Sequence, residues 1–147
     1  MMAIRKEGRK GEEMAHQLLK ELDYPNHLQP DMITKGIKLP NGQLVDDWII
    51  LEVKYQEYFE EGGYCKFDGH GLPPHQIKQR LELKQDKNIP TYLIIFEKDT
   101  SKNGDSIYIE ELEKLNKGRY HQTDKHKRRI FPLDNFQKYN FGWKTLI

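Results

Sequence analysis

Apolar residues run almost without interruption through Trp48-Ile49-Ile50-Leu51-Glu52-Val53, and again through Thr91-Tyr92-Leu93-Ile94-Ile95-Phe96. Runs of this length without alternation belong to interior strands covered on both faces. Residues 5–22 follow a different period. Ala15, Leu18, Leu19 and Leu22 recur at helical spacing among Lys, Glu and Gln, and Pro25 ends the segment. Glu12 precedes Ala15 by three residues and Leu19 by seven, so a helix projects it from the apolar stripe, while Glu13 points with Gln17 and Lys20 towards water. Residues 31–39 and 44–56 read as the two strands of a hairpin around Asn41-Gly42. The glycine-rich stretch 60–74 reads as a loop, and Pro73-Pro74 open a helix over 75–87. Beyond the strand at 91–96 come a loop at 101–105, a short strand at 106–109 and a helix at 110–116. A strand-like 129–133 and a last helix capped by Asp134 complete the tail. No repeat or linker divides the chain. This order predicts one mixed α/β domain with a central sheet and helices on its faces.

The hairpin has a chemical consequence. A two-residue Asn41-Gly42 turn pairs Pro40 with Gln43, and the same register sets Asp31 opposite Glu52, roughly 4.5–5.5 Å apart at Cβ. Lys54 points to the same side, because strand side chains alternate. A carboxylate inside an apolar strand is the informative exception to its pattern. Two facing carboxylates with a lysine suggest a metal-dependent hydrolytic site. Mg²⁺ prefers oxygen ligands and usually takes one or two protein carboxylates; Asp31 and Glu52 would supply these, with the Val53 carbonyl as a third donor. Lys54 would then stand beside the attacking water. The structural alternative is a solvated cross-strand pair with Lys54 as its counter-ion. The tripeptide alone is weak evidence, since Glu82-Leu83-Lys84 repeats it inside a predicted helix, where residues two apart do not share a face. Asp46 and Asp47 are rival acids: Asp46 shares a face with Glu52 in this register, and a bulge would bring Asp47 round instead.

Composition narrows the setting. At 147 residues with a net charge of +1, the chain has room for one core, and non-specific adhesion to nucleic acid would require its charge to be segregated into patches. The sole cysteine, Cys65, excludes an internal disulfide framework and fits a reducing, cytoplasmic setting. No signal-like N-terminus or membrane-length apolar run is present, so no membrane partner is expected. Cys65, His70 and His75 lack the paired spacing of a zinc site and read as a loop cysteine and surface histidines.

With Pro30-Asp31 followed by Glu52-Val53-Lys54, the chain resembles the PD-(D/E)XK nuclease superfamily, which includes restriction endonucleases, Holliday-junction resolvases and phage or repair nucleases. Gly11-Glu12 resembles the helical glutamate that many members use as an extra metal or water ligand. Gln76 stands where many place a polar residue near the site, and the segment Gly71–Ile77 followed by the 91–96 strand looks like small resolvase-like or phage-type members. The resemblance covers about residues 8–97, leaving a C-terminal extension over about 98–147. It implies a restriction-endonuclease-like αβββαβ core, a Mg²⁺- or Mn²⁺-dependent nuclease acting on DNA, catalytic residues Asp31, Glu52, Lys54, Glu12 and Gln76, and a homodimer. The strand that normally precedes the aspartate strand has only residues 24–29 available, so it is short or missing. Among the basic residues, Lys125, Lys127, Arg128 and Arg129, with Arg9 and Lys10 near the start, are candidates for phosphate contact without base readout. The alternative function is a non-catalytic nucleic-acid-binding or interaction module on the same fold.

Overall fold

The computed structural model describes residues 26–27, 32–58, 66–98, 104–123 and 128–146. In chain order the elements are β1 (Asn26–His27), β2 (Met32–Thr34), β3 (Ile37–Lys38), β4 (Leu44–Val45), β5 (Ile49–Gln56), β6 (Gly69–Leu72), α1 (Pro74–Lys87), β7 (Thr91–Glu97), β8 (Ile107–Glu111), α2 (Leu112–Lys117), β9 (His121–Thr123), β10 (Arg128–Pro132) and β11 (Gln137–Lys138). Single 3₁₀ turns occupy Leu133–Asn135 and Trp143–Leu146. The helix expected over 5–22, with Arg9, Lys10 and Glu12, lies outside the described residues, as do Asp31, Cys65, Lys125 and Lys127. None of the described helices is long and apolar enough to cross a membrane.

Six strands form a mixed sheet in the order β1-β2-β5-β7-β8-β11. The β5–β7 pair is parallel and the other neighbours are antiparallel. This is an α/β domain. The short strand β1, which pairs Asn26 with Thr34 and His27 with Ile33, occupies the place left for it before β2. The two continuous apolar runs became the interior pair β5 and β7, as burial on both faces requires. On one face Ile49, Leu51, Ile94 and Phe96 pack with Ile37, Leu39 and Trp143. On the other, Leu93 and Ile95 pack with Ile77 of α1, Leu112 and Leu115 of α2, and Phe131 of β10.

Helix α1 shows why its sequence starts and stops where it does. Pro74 occupies the first helical turn, where its missing N–H removes no hydrogen bond. Asn88 takes the left-handed conformation at φ 57° and donates its N–H to the Lys84 carbonyl, closing the last turn. Lys84 also clamps α1 to the β8–α2 junction, through Glu111 at 2.8 Å and Glu113 at 3.0 Å. These hydrogen bonds, that to Glu111 first, raise the Lys84 pKa. Lys84 belongs to the second Glu-x-Lys copy, which is helical as expected.

The hairpin departs from a two-residue turn. Leu39 accepts from Gly42 N–H and donates to Gln43, so the loop is Pro40-Asn41-Gly42, with Gly42 at φ 89°. A three-residue loop with a positive-φ glycine is the next favoured way to join two strands. It moves the pairing to Ile37 with Val45 and Lys38 with Leu44. Between β4 and β5, Asp46, Asp47 and Trp48 then stand against only Lys35 and Gly36, a bulge of one residue. Gly36 permits it: its φ is 130°, and a Cβ there would run into the Val45 carbonyl. The two irregularities cancel, and β2 meets β5 as Thr34 with Ile49, Ile33 with Ile50 and Met32 with Leu51. The register expected on the β2 side of Glu52 is therefore present, by a route the turn alone did not predict.

Two other expectations are corrected. The stretch 60–74, read throughout as loop, contains β6, which pairs with β10. Its glycines serve close strand contact, since a Cβ on Gly69 or Gly71 would strike the carbonyl of Phe131 or Arg129. The last helix capped by Asp134 is instead a single 3₁₀ turn, containing Asp134 and preceded by Pro132, with no side-chain cap.

Candidate active site

Alternation along β5 sends Val53 to the first core and sets Glu52, Lys54 and Gln56 on the opposite face, under α1. Ile77 and Leu81 seat the helix on this face. Gln76 and Arg80, one turn apart, therefore reach down the same side of α1. Arg80 donates to Glu52 Oε2 from Nε at 3.2 Å and from Nη2 at 3.1 Å. Lys54 Nζ lies 3.7 Å from the other oxygen, Oε1, and donates to Gln76 Oε1 at 3.3 Å. Three of the expected site residues, Glu52, Lys54 and Gln76, are thus assembled. Arg80 is a fourth member that the sequence reading missed. Its signal was available as a cationic side chain four residues after Gln76 on a predicted helix.

The Glu52 side chain is 8% exposed, against 18% for Arg80 and 24% for Lys54. Among the described residues two cations thus flank one nearly buried carboxylate. For a divalent cation, Glu52 offers hard oxygen donors of the kind Mg²⁺ accepts, and one carboxylate falls within the usual number for that ion. Among the described residues no group of three or more His, Cys, Asp or Glu side chains converges on one point. Asp46 and Asp47 are exposed at the bulge, and the Asp47 carboxylate accepts from Trp48 N–H at 2.8 Å. Asp47 lies five residues before Glu52 in sequence, in the bulge that precedes β5.

A second polar cluster lies on the same face. Parallel pairing sets Glu97 of β7 beside Gln56. His70 of β6 places Nε2 2.6 Å from Glu97 Oε2 and Nδ1 3.3 Å from Gln56 Oε1. The side chains of His70 and Glu97 are fully buried, and Glu97 Oε1 has no hydrogen-bond partner among the described residues. Burial lowers the His70 pKa, against the opposing hydrogen bond and charge of Glu97. Tyr108, 5.8 Å from the His70 ring, has its pKa pushed up to about 12, chiefly by burial and next by the Glu97 charge. The expectation of a surface His70 is corrected: β6 turns it inward between β7 and Phe136. His75 is exposed, as expected.

Of the basic candidates, Arg128 and Arg129 begin β10. Arg129 donates to Asn116 Oδ1 at 2.7 Å and Gln122 Oε1 at 3.0 Å, and stacks 4.5 Å over Tyr120. These partners fix the guanidinium without neutralising it, and it edges a hollow of about 470 Å³ that His75 and Lys78 of α1 also line. No protein-family model matches this chain, and neither a curated protein nor a solved structure is significantly similar to it.

Proposed function

We propose that this chain is a metal-dependent nuclease that hydrolyses DNA phosphodiesters on a restriction-endonuclease-like αβββαβ core. The observation that carries this reading is the convergence of Glu52, Lys54 and Gln76 on one covered sheet face, beside a β2–β5 register that leads towards the Asp31–Glu52 pairing. Glu52, with Asp31 and the Val53 carbonyl, holds Mg²⁺ or Mn²⁺, and Glu12 completes the site. The bound ion supplies charge neutralisation at the phosphate and a more acidic water. Lys54 orients the attacking water and stabilises the negative charge that develops on the phosphoryl oxygens. Gln76 keeps the Lys54 ammonium aimed into the site. Arg128 and Arg129, with Lys125, Lys127, Arg9 and Lys10, grip the backbone without reading bases. A homodimer supplies two such sites for two strands.

One observation favours a second reading. Arg80 already neutralises Glu52, as it would in a non-catalytic nucleic-acid-binding module with a structural ion pair. Incubation with supercoiled, linear and four-way-junction DNA separates the two, in Mg²⁺, Mn²⁺ or EDTA. The nuclease reading expects cutting that needs metal and disappears in Asp31→Ala, Glu52→Ala and Lys54→Ala. DNA binding without cutting would support the module, and cutting that survives all three substitutions would remove this site assignment.

A further inference from the structure

Positive charge is gathered in one stretch of this chain. Residues 117–129 hold six Lys or Arg and one acid, Asp124, whereas the whole chain sums to +1. The remainder is therefore acidic on balance, and the segment that supplies β9 and the start of β10 carries the opposite sign. Among the described residues its arginines are not spent on carboxylates. Arg119 lies 4.6 Å over the Phe67 ring. Arg129 donates three N–H groups to the neutral amide oxygens of Asn116 and Gln122, which leaves part of its donor fork unused. The Tyr120 ring lies 4.5 Å from that guanidinium and is 44% exposed. An open aromatic face beside an incompletely paired guanidinium offers two complementary surfaces: the ring stacks a base, and the guanidinium meets the phosphate next to it. On its other side Arg129 borders the hollow of about 470 Å³, where Lys78 is a second, exposed cation and Glu82 is the one acid. That hollow follows α1, the helix that also brings Gln76 to Lys54.

We propose that this face is a docking track for unpaired nucleic acid, on which Tyr120 stacks a base while Arg129, Arg119 and Lys78 hold the phosphates beside it. Charge alone would take duplex and single strand alike. The exposed ring discriminates between them. In a duplex the base faces are stacked on one another, so only an unpaired base can turn its face to Tyr120. Such stacking is tolerant of sequence, since every base has a π-face. The inference rests on the nucleic-acid part of the proposed function and makes a strand with an unpaired segment the substrate class. It is independent of Glu52 and of any metal.

Binding is measured in EDTA, where metal-dependent cutting cannot run, by the fluorescence anisotropy of a labelled thymidine oligonucleotide and of a labelled duplex. Tyr120→Leu keeps an apolar side chain against Arg129 but removes the ring. It should weaken single-strand binding about tenfold and duplex binding by less than about twofold. Tyr120→Phe, which keeps the face, should stay within about twofold of wild type on both. Arg129→Gln should reduce the slope of log affinity against log salt on the single strand by about 0.7, the share of one phosphate contact. An equal loss on both DNA forms in Tyr120→Leu, or no loss on either, overturns the inference. Polyglutamate that competes as well as unlabelled thymidine oligonucleotide overturns it too. A measurement on the wild type needs no variant to fold: an oligonucleotide carrying 5-iodouracil, which cross-links to a stacked aromatic ring on irradiation, should label Tyr120. Labelling confined to other residues overturns the inference. Tyr120-dependent single-strand binding without any cutting in metal supports this track while removing the catalytic reading. Metal-dependent cutting with binding indifferent to Tyr120 removes the track alone, and failure to bind either DNA form removes both.

Discussion

Glu52 and Glu97 are carboxylates on neighbouring strands, facing the same side of one sheet, and both are nearly or fully buried. Their surroundings make them chemically different. Glu52 is met by Arg80 and Lys54, whose side chains still touch solvent, and by a helix that carries its polar residues in from above. Glu97 is met by His70, sealed among Tyr108, Phe136 and Tyr58, and has an oxygen without a partner among the described residues. A carboxylate with permanently charged, partly exposed partners can exchange them for other cations. One locked against a neutral-capable imidazole in the core cannot do so without unfolding. The sheet thus carries an exchangeable cluster beside a fixed one, only two strand positions apart from Lys54 to Gln56.

The largest effect should come from the exchangeable cluster. If the proposed nuclease activity is present, Glu52→Ala and Lys54→Ala should each lower metal-dependent DNA cleavage by about 10²–10³-fold, the scale of removing charge stabilisation from a transition state. Far-UV circular dichroism should show that both remain folded. A loss below tenfold in both would place the chemistry elsewhere.

The fixed cluster should respond in stability. His70→Ala takes the 2.6 Å hydrogen-bond partner from the buried Glu97 side chain, at a cost of about 1–3 kcal/mol in urea unfolding. Cleavage per folded molecule should stay within about twofold. Wild-type stability in this variant, or lost cleavage in a folded one, would erase the distinction between the two clusters.

The register under Glu52 can be broken at a distance. Gly36→Ala places a side chain against the Val45 carbonyl at φ 130° and should cost more than about 1 kcal/mol. Forced out of the bulge, the hairpin would shift β2 on β5, so cleavage should fall more than stability does. Equal activity in this variant would show that the bulge does not set the site.

The smallest effect is the pH dependence of the fixed cluster. Burial lowers the His70 pKa below its ordinary 6.5, so below that pH the unfolded chain binds the extra proton. Stability should therefore be independent of this group above about pH 6.5, and should fall as the pH drops towards the lower folded value, by at most about 1.4 kcal/mol per unit. A flat urea midpoint from pH 7.5 to 5.5 would contradict a neutral buried ring.

Much of this organisation was legible in the sequence. The runs 48–53 and 91–96 announced the two interior strands, and Pro73-Pro74 announced α1. Glu52, Lys54 and Gln76 were identified, and they meet. The register on the β2 side of Glu52 was also right, but only because two local features cancel: a three-residue loop at Pro40-Asn41-Gly42 and a bulge opposite Gly36. Turn propensity sees the loop but not the bulge, which depends on a carbonyl approaching a glycine from the other strand. The same blindness hid β6, whose Gly69 and Gly71 look like loop residues until β10 lies against them. His70 and Arg80 were missed because their partners, Glu97 and Glu52, lie 27 and 28 residues away in sequence, and side-chain pattern does not report such pairings.

The most direct test is to locate the ion. Fe²⁺ added in place of Mg²⁺, with ascorbate and peroxide, generates hydroxyl radicals that cut the polypeptide beside the bound metal, and mass spectrometry reads the cut positions. Cuts grouped around residues 31, 52–54 and 76–80, lost on adding Mg²⁺ and absent in Glu52→Gln, are the predicted result. Cuts confined to the Asp46–Asp47 bulge or the C-terminal half, or a pattern unchanged in Glu52→Gln, would contradict a cation held at Glu52.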